Sequence, residues 1–291
     1  IQTGTTLSDY RKQETDIQHS VSMSVLNFEF LDKKINLIDT PGYLDFIGEM
    51  KSSLRVVDNA VIVLNASEGI EVGTELAWDF SQEYNNSRYF IINMCNRDLS
   101  NFQSILDNLK KRSGRNVFPV MLPINEGDNF NQIGDILKKE ILEFDTNGNF
   151  TNKPAEGDWA EKLSSLHNEL IEMVAESDES LLESFFDNGE LSEDELKGGL
   201  SKAIQNGLIP VFCCAGEKNI GTKRIVEFMS KYATTAFDKN KEILNNYEKE
   251  KEKLKTSIEK LEASDLEYIE EIARDKLNMS EPDEIIIFNK E

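Results

Sequence analysis

This sequence is short of positive charge, of histidine and cysteine, and of long apolar runs. No run approaches the ~20 apolar residues that span a bilayer, so no membrane span is expected. No signal peptide is visible at the start. Basic residues number 32 against 54 acidic, a net charge of −22. That balance argues against DNA and against any broad grip on phosphate backbones, which needs clustered Lys and Arg. It leaves room for docking on a ribonucleoprotein through a small local patch. The three cysteines are Cys95, Cys213 and Cys214. Two are adjacent and none has metal-ligand spacing, which fits thiols in buried strands and a reducing cytoplasm. The two histidines, His19 and His167, have no partner pattern and read as surface residues. Trp78 and Trp159 sit on amphipathic helices and read as packing. No Ser/His/Asp, zinc or nucleophilic-cysteine arrangement is present.

What is present centres on Asp39-Thr40-Pro41-Gly42. A short apolar strand, Ile35 to Ile38, runs into an acidic residue, then a Pro-Gly turn, then a helix from Leu44. Open α/β sheets bind ligands at the carboxyl ends of their strands, where this carboxylate lies. In a nucleotide hydrolase an Asp there holds Mg²⁺, and the Gly42 N–H approaches the terminal phosphate unobstructed. Asp39 as a simple helix cap is the plainer alternative.

The surrounding pattern alternates strand and helix. Thr5 to Gln18 is polar and irregular, as in a mobile loop. Val21 to Phe30 reads as a strand, with Asp32-Lys33-Lys34 as the turn into Ile35 to Ile38. Helical spacing follows over Leu44 to Val57, then a buried strand at Ala60 to Leu64. Val72 to Tyr84 and Leu99 to Arg112 are helices around the strand Tyr89 to Ile92. The reading is an α/β doubly wound sheet. From Val117 the pattern changes to an acidic insertion. Val117 to Ile124 is extended, Phe130 to Phe144 mixed, and Asp145 to Asp158 a loop. Helices follow at Trp159 to Ala175 and Glu179 to Phe186, and a capping box at Ser192 to Glu195 opens a third. The sheet resumes at Ile209 to Cys214, and the helix Thr222 to Tyr232 closes the unit.

Residues 1 to about 238 resemble the nucleotide domain of elongation factor G and its divergent bacterial relatives. The carrying stretches are Asp39 to Phe46, Ser53 to Asp58, Ala66 to Glu75, Leu122 to Ile124 and Cys214 to Gly221. The resemblance implies a P-loop NTPase-type fold with an inserted α+β subdomain. It also implies GTP hydrolysis with Mg²⁺ on the ribosome, in translocation or ribosome release. The implied divisions are 1–115 and 203–238 for the G domain, 116–202 for the insertion and 239–291 for a coiled-coil tail. Carried over by position, Ser20 and Asp39 are the magnesium ligands and Tyr43 holds the place of the catalytic His. Asp39, Gly42, Asn93, Asn96, Cys214 and Ala215 contact GTP or GDP, with the Ala215 amide on the guanine oxygen.

Three departures bear on activity. No G-x-x-x-x-G-K-[ST] occurs, and Thr3-Gly4-Thr5-Thr6 lacks the Lys and precedes no helix. The start therefore reads as a cut just after the phosphate loop, and nucleotide affinity is expected to be weak or absent. Tyr43 can orient a water, but a phenol is a poor base near neutral pH. The guanine motif N-K-x-D is Asn93-Met94-Cys95-Asn96 here. An amide cannot accept both guanine hydrogen bonds, so guanine preference should fall.

After Asp238 the composition turns to Glu and Lys. Tyr247, Lys251, Leu254, Ile258 and Leu261 alternate spacings of four and three, a short coiled-coil seam; a single solvated helix is the alternative. Tyr268 to Leu277 reads as a second helix and Ile285 to Phe288 as a terminal strand. Glu267 to Ile285 resembles the end of septum formation initiator proteins (DivIC/FtsB-like). That resemblance implies a coiled-coil division-protein partner and a scaffold role, a different class of function from the first.

Overall fold

The computed structural model describes residues 6–188 and 191–262. The chain divides into two compact units after Thr234.

The first unit opens with the short helix α1 (Lys12–Ile17) and the hairpin β1 (Ser24–Phe30) and β2 (Lys33–Asp39). The stretch expected to be a mobile loop is instead built around Glu14, which is 1% exposed. Its carboxylate accepts the N–H groups of Arg11, Val21 and Ser22 at 3.2–3.3 Å. The hairpin turn falls on Leu31 and Asp32, both at positive φ (48° and 55°), one residue earlier than the sequence reading placed it. Two consecutive left-handed residues match the twist of the flanking strands.

A short 3₁₀ turn, Leu44–Phe46, precedes α2 (Ile47–Leu54). The continuous helix expected from Leu44 to Val57 is therefore shorter and later. Next come β3 (Asn59–Asn65), α3 (Val72–Glu83), β4 (Ser87–Asn93) and α4 (Phe102–Ser113). The helix α4 begins three residues later than expected, because the Asn101 side chain accepts the Ser104 N–H at 2.9 Å and caps it. The sheet is completed by β5 (Val117–Pro119) and β10 (Ile209–Cys213), all parallel, in the order β3-β4-β10-β5. Every residue of β10 is buried. The α/β fold expected from the alternating pattern is present.

The hairpin stands apart from this sheet. It forms its own two-stranded sheet, with β1 and β2 paired only to each other among the described residues. The apolar strand Ile35 to Ile38 accordingly lies outside the parallel sheet, and Leu37 is exposed. The strand β3 is an edge, with Ala60, Ile62 and Leu64 buried on one face and Val61 and Val63 exposed on the other. Parallel strands covered on both faces are apolar throughout, which is why this run read as fully interior.

The insertion is an antiparallel sheet of β6 (Met121–Pro123), β7 (Gln132–Asp135), β8 (Glu140–Phe144) and β9 (Phe150–Pro154), in that order. With it go α5 (Asp158–Ala175), α6 (Glu179–Asn188) and α7 (Glu193–Gln205). The strand β9 replaces part of the loop expected over Asp145 to Asp158. The turn before it holds because Asp145 accepts the N–H groups of Asn147 and Asn149 at 2.8 and 2.9 Å. Gly148 sits there at φ +79°, where a Cβ would come within 2.6 Å of the Asn219 side chain. The capping box at the start of α7 is formed, with the Ser192 N–H on Glu195 at 2.9 Å.

Side chains of the insertion, including Ile133, Leu142 and Leu163, share one core with Phe90, Phe212 and Phe228 of the α/β part. The helix α8 (Thr222–Tyr232) ends that part. It is tied to β7 by a buried ion pair, Arg224 Nε to Asp135 Oδ2 at 2.5 Å.

The second unit is described as one helix, α9 (Ala236–Glu262). Thr235 and Asp238 close its start reciprocally, each N–H bonded to the other's side chain. The second helix and the strand expected over Tyr268 to Phe288 lie outside the described residues. No described helix is long and apolar enough to cross a membrane.

Candidate functional site

The carboxyl ends of β3, β4 and β10 are laced together at one side of the parallel sheet. The Ala66 N–H donates to Asn93 O at 2.9 Å, Cys214 N–H to Ile92 O at 3.0 Å, and Cys95 N–H to Cys214 O at 3.1 Å. Asn93 is the hub. Its Oδ1 accepts the N–H of Met94 at 2.8 Å, the N–H of Gly216 at 2.9 Å, and the Cys214 thiol at 3.4 Å. One short side chain thus fixes both loops that follow these strands. Met94 turns the chain at φ 64° and is partly exposed.

Beside this hub lies a cavity of about 520 Å³, lined by Asn96, Arg97, Asp98, Asp128, Glu217 and Lys218. Arg97 and Glu217 pair across it at 2.9 Å. Asn96 is 7% exposed, so it has little freedom to turn away from the cavity. Ala215 is buried, and its N–H donates to Ile220 O at 3.0 Å. An oxygen read by that amide must share or displace this bond. Burial pushes the three thiols up, Cys214 to about 12, so they are inert packing groups.

The second cluster surrounds the Pro-Gly turn. Asp39 ends β2, paired in register with Ser24. Gly42 faces open space where a Cβ would stand. The Tyr43 ring lies 4.5 Å from the His19 ring, centroid to centroid. His19 Nδ1 is 3.2 Å from Ser20 O, and the Ser20 hydroxyl donates to Asp9 at 2.7 Å. His19 is thus engaged at this site, where the sequence suggested a plain surface residue. His167 is half-buried, its Nδ1 3.0 Å from Ile136 O. Asp9, Glu14 and His19 were missed, because residues brought together by a polar loop carry no periodicity to detect.

Asp9, Ser20 and Asp39 supply hard oxygen donors, the chemistry magnesium takes. Among the described residues, no three His, Cys, Asp or Glu side chains converge as a metal cage.

A parallel α/β sheet with an Asn-centred loop pair at its strand ends, preceded by a separate hairpin that ends in an Asp-x-Pro-Gly turn, fits the nucleotide-binding α/β class. The profile of the elongation factor Tu GTP binding domain family matches residues 2–235, and the chain belongs to that family. A septum formation initiator profile matches residues 237–291. An elongation factor G-like protein from Thermotoga maritima is 31% identical over 222 residues. The match covers 76% of this chain but 32% of that protein, so the chain spans about a third of the relative's length. A crystal structure of a protein from Thermus thermophilus superposes with a TM-score of 0.74 at 26% identity. It covers 80% of this chain and 35% of that one.

Proposed function

We infer that the first unit is the GTP-binding domain of an elongation factor G-like translation factor, acting in the cytoplasm with the ribosome as partner. In such a factor, GTP hydrolysis is coupled to translocation or ribosome release. The observation that carries this reading is the presence of both the Asp39 to Gly42 turn and the Asn93 hub in one unit that matches the GTP-binding family over residues 2–235. Asn96, Cys214 and Ala215 would meet the base, and Gly42 the terminal phosphate. Ser20 and Asp39 would hold the magnesium ion, which supplies charge neutralisation when bound. For Ser20 to do so, its hydroxyl must leave Asp9. Tyr43 would orient the attacking water rather than take its proton, since a phenol is a poor base near neutral pH.

Calorimetric titration of GTP and GDP in the presence of Mg²⁺ tests the reading. Weak binding that is lost with Asn93→Ala supports it; no heat with any nucleotide counts against it.

A second reading rests on the septum formation initiator match. Here the tail is a coiled-coil scaffold in cell division and the first unit has a supporting role. Recovery from a lysate with ribosomes, or instead with division proteins, separates the two.

A further inference from the structure

The insertion stands behind both loops that bound the cavity beside Asn93. Those loops, residues 94–101 after β4 and 214–221 after β10, are tied at their roots by the Asn93 side chain. At their tips they meet in the Arg97–Glu217 pair. Both side chains there are more than half exposed, so the pair is screened and holds little by itself. We propose that the insertion sets the spacing of the two loops, and through it the affinity of the base pocket, with Glu126, Gly127 and Gly148 as positioning residues. The proposal rests on reading the cavity as the base pocket and adds how that pocket is controlled.

Two separate parts of the insertion make the contacts. The first is the arch between β6 and β7. It is stiff: the Ile124 N–H donates to Gln132 O at 3.0 Å and the Phe130 N–H to Gly127 O at 2.9 Å. The Gln132 N–H donates to the Asn125 side chain at 3.2 Å, and Phe130 is buried at the foot of the arch. From this support the Gly127 N–H donates to Cys95 O at 2.9 Å. Glu126 Oε2 accepts the Phe102 N–H at 3.0 Å. That N–H is one of the donors that a helix start leaves without a partner in the helix. Gly127 therefore fixes the first loop near its start, and Glu126 fixes where it enters α4. Asp128, the next residue of the arch, lines the cavity.

The second part is the turn between β8 and β9. A Cβ on Gly148 would lie 2.9 Å from Lys218 O and 3.0 Å from Asn219 O. Both are backbone atoms of the second loop, so a side chain there could be taken in only by moving that loop. Lys218 itself lines the cavity. At the far end of the same loop, a Cβ on Gly221 would lie 3.1 Å from Ile133 of β7. One loop is thus held by hydrogen bonds and the other by close backbone packing, from two turns of one subdomain. Packed structure of this kind transmits a shift rather than absorbing it, so a displacement of the insertion moves both walls of the pocket.

Hydrogen exchange and guanosine titration of the full chain test this. Glu126→Ala should speed exchange over residues 94–102 and Gly148→Ala over 215–220, with β10 still protected in both. Each should weaken guanosine binding by roughly three- to tenfold, the range in which packed contacts act on a site they do not touch. Glu126→Gln keeps an oxygen for the Phe102 N–H and should restore both exchange and affinity. Gly157→Ala is the control. Gly157 also lies in the insertion at positive φ (+57°), but a Cβ there meets nothing within 4 Å. This variant should lower the urea midpoint as Gly148→Ala does, yet leave the two loops and guanosine affinity unchanged. A role in stability alone would make the two glycine variants alike, and that result overturns the proposal. So does wild-type exchange of both loops in Glu126→Ala and Gly148→Ala, or faster exchange there without loss of affinity. If the wild type binds no guanosine, the reading of the cavity as a base pocket falls, and loop exchange alone decides whether the insertion sets the loop spacing.

Discussion

On the proposed reading, Asn96 would set base choice by the polarity of one amide. Guanine offers two donors, N1–H and the 2-amino group, to the position Asn96 holds. A carboxylate accepts both, whereas Asn accepts one and meets the other with its own N–H₂. Xanthine replaces the amino group with a carbonyl, which that N–H₂ can satisfy. Burial of Asn96 keeps the mismatch from being relieved by rotation. Asn96→Asp should move preference toward guanine by roughly ten- to hundredfold, the cost of one unsatisfied buried hydrogen bond. Competition between GTP and XTP reads the change; an unchanged ratio would mean that Asn96 does not face the base. Glu14 makes a second case at this scale. Burial pushes its carboxyl up, but the backbone N–H bonds from Val21, Ser22 and Arg11 outweigh that and hold it below the usual value. With the folded value lowered, its contribution is present above the unfolded pKa of ~4.3 and is lost as pH falls through the folded value. Glu14→Ala should speed hydrogen exchange across residues 6–23 at neutral pH and leave β10 protected. Below both pKa values, wild type and variant should exchange alike there.

At the level of elements, the buried bridge between β7 and α8 ties the insertion to the sheet. Burial alone would lower the Arg224 pKa, but Asp135 at 2.5 Å raises it overall. Arg224→Met strands the buried Asp135 carboxylate and should cost about 3–5 kcal/mol, whereas Asp135→Asn should cost less, because Arg224 keeps Glu227 at 3.4 Å. Replacing both with apolar residues of similar volume should restore most of that loss. Urea denaturation of the four proteins checks it; additive losses in the double variant would mean that the pair is not coupled. The sequence made some of this frame legible and hid the rest. Buried strands such as Ile209–Cys213 declare themselves, because a parallel strand covered on both faces is apolar throughout. The capping box of α7 was readable because its two residues are local. Strand β9 was not, because Phe150–Pro154 is mostly exposed and held by pairing with β8, a contact that no local composition encodes. The separation of the hairpin from the sheet was invisible for a related reason. Alternation tells which face of a strand is apolar, not which strand lies beside it. At the site, Asn93 and Asn96 could be placed by motif, whereas the engagement of the Ala215 amide by Ile220 appears only in three dimensions.

Across the whole molecule, phosphate affinity is decided by charge and by what is missing around it. GTP brings a triphosphate to a chain whose net charge is −22, so the mean field opposes its approach. Family sites overcome this locally, with a glycine-rich nest of N–H groups and a Lys on the β- and γ-phosphates. No G-x-x-x-x-G-K-[ST] occurs in this sequence. Among the described residues, the groups proposed for the phosphate end are the Gly42 amide, Asp39, which repels phosphate unless a cation intervenes, and Ser20, whose hydroxyl is already given to Asp9. The base end is better equipped, with the Asn93 hub and a cavity of about 520 Å³ beside it. Most of the binding free energy available to this chain is therefore expected at the base and little at the phosphates. GTP, GDP and guanosine should then bind with similar, weak affinity, within about tenfold of one another, a spread of ~1.4 kcal/mol. A domain with an intact phosphate loop would separate guanosine from GTP by several powers of ten. Titration of all three ligands with and without Mg²⁺ decides between these. Micromolar or tighter, magnesium-dependent GTP binding, with guanosine far weaker, would mean that the phosphates are held by groups other than those named.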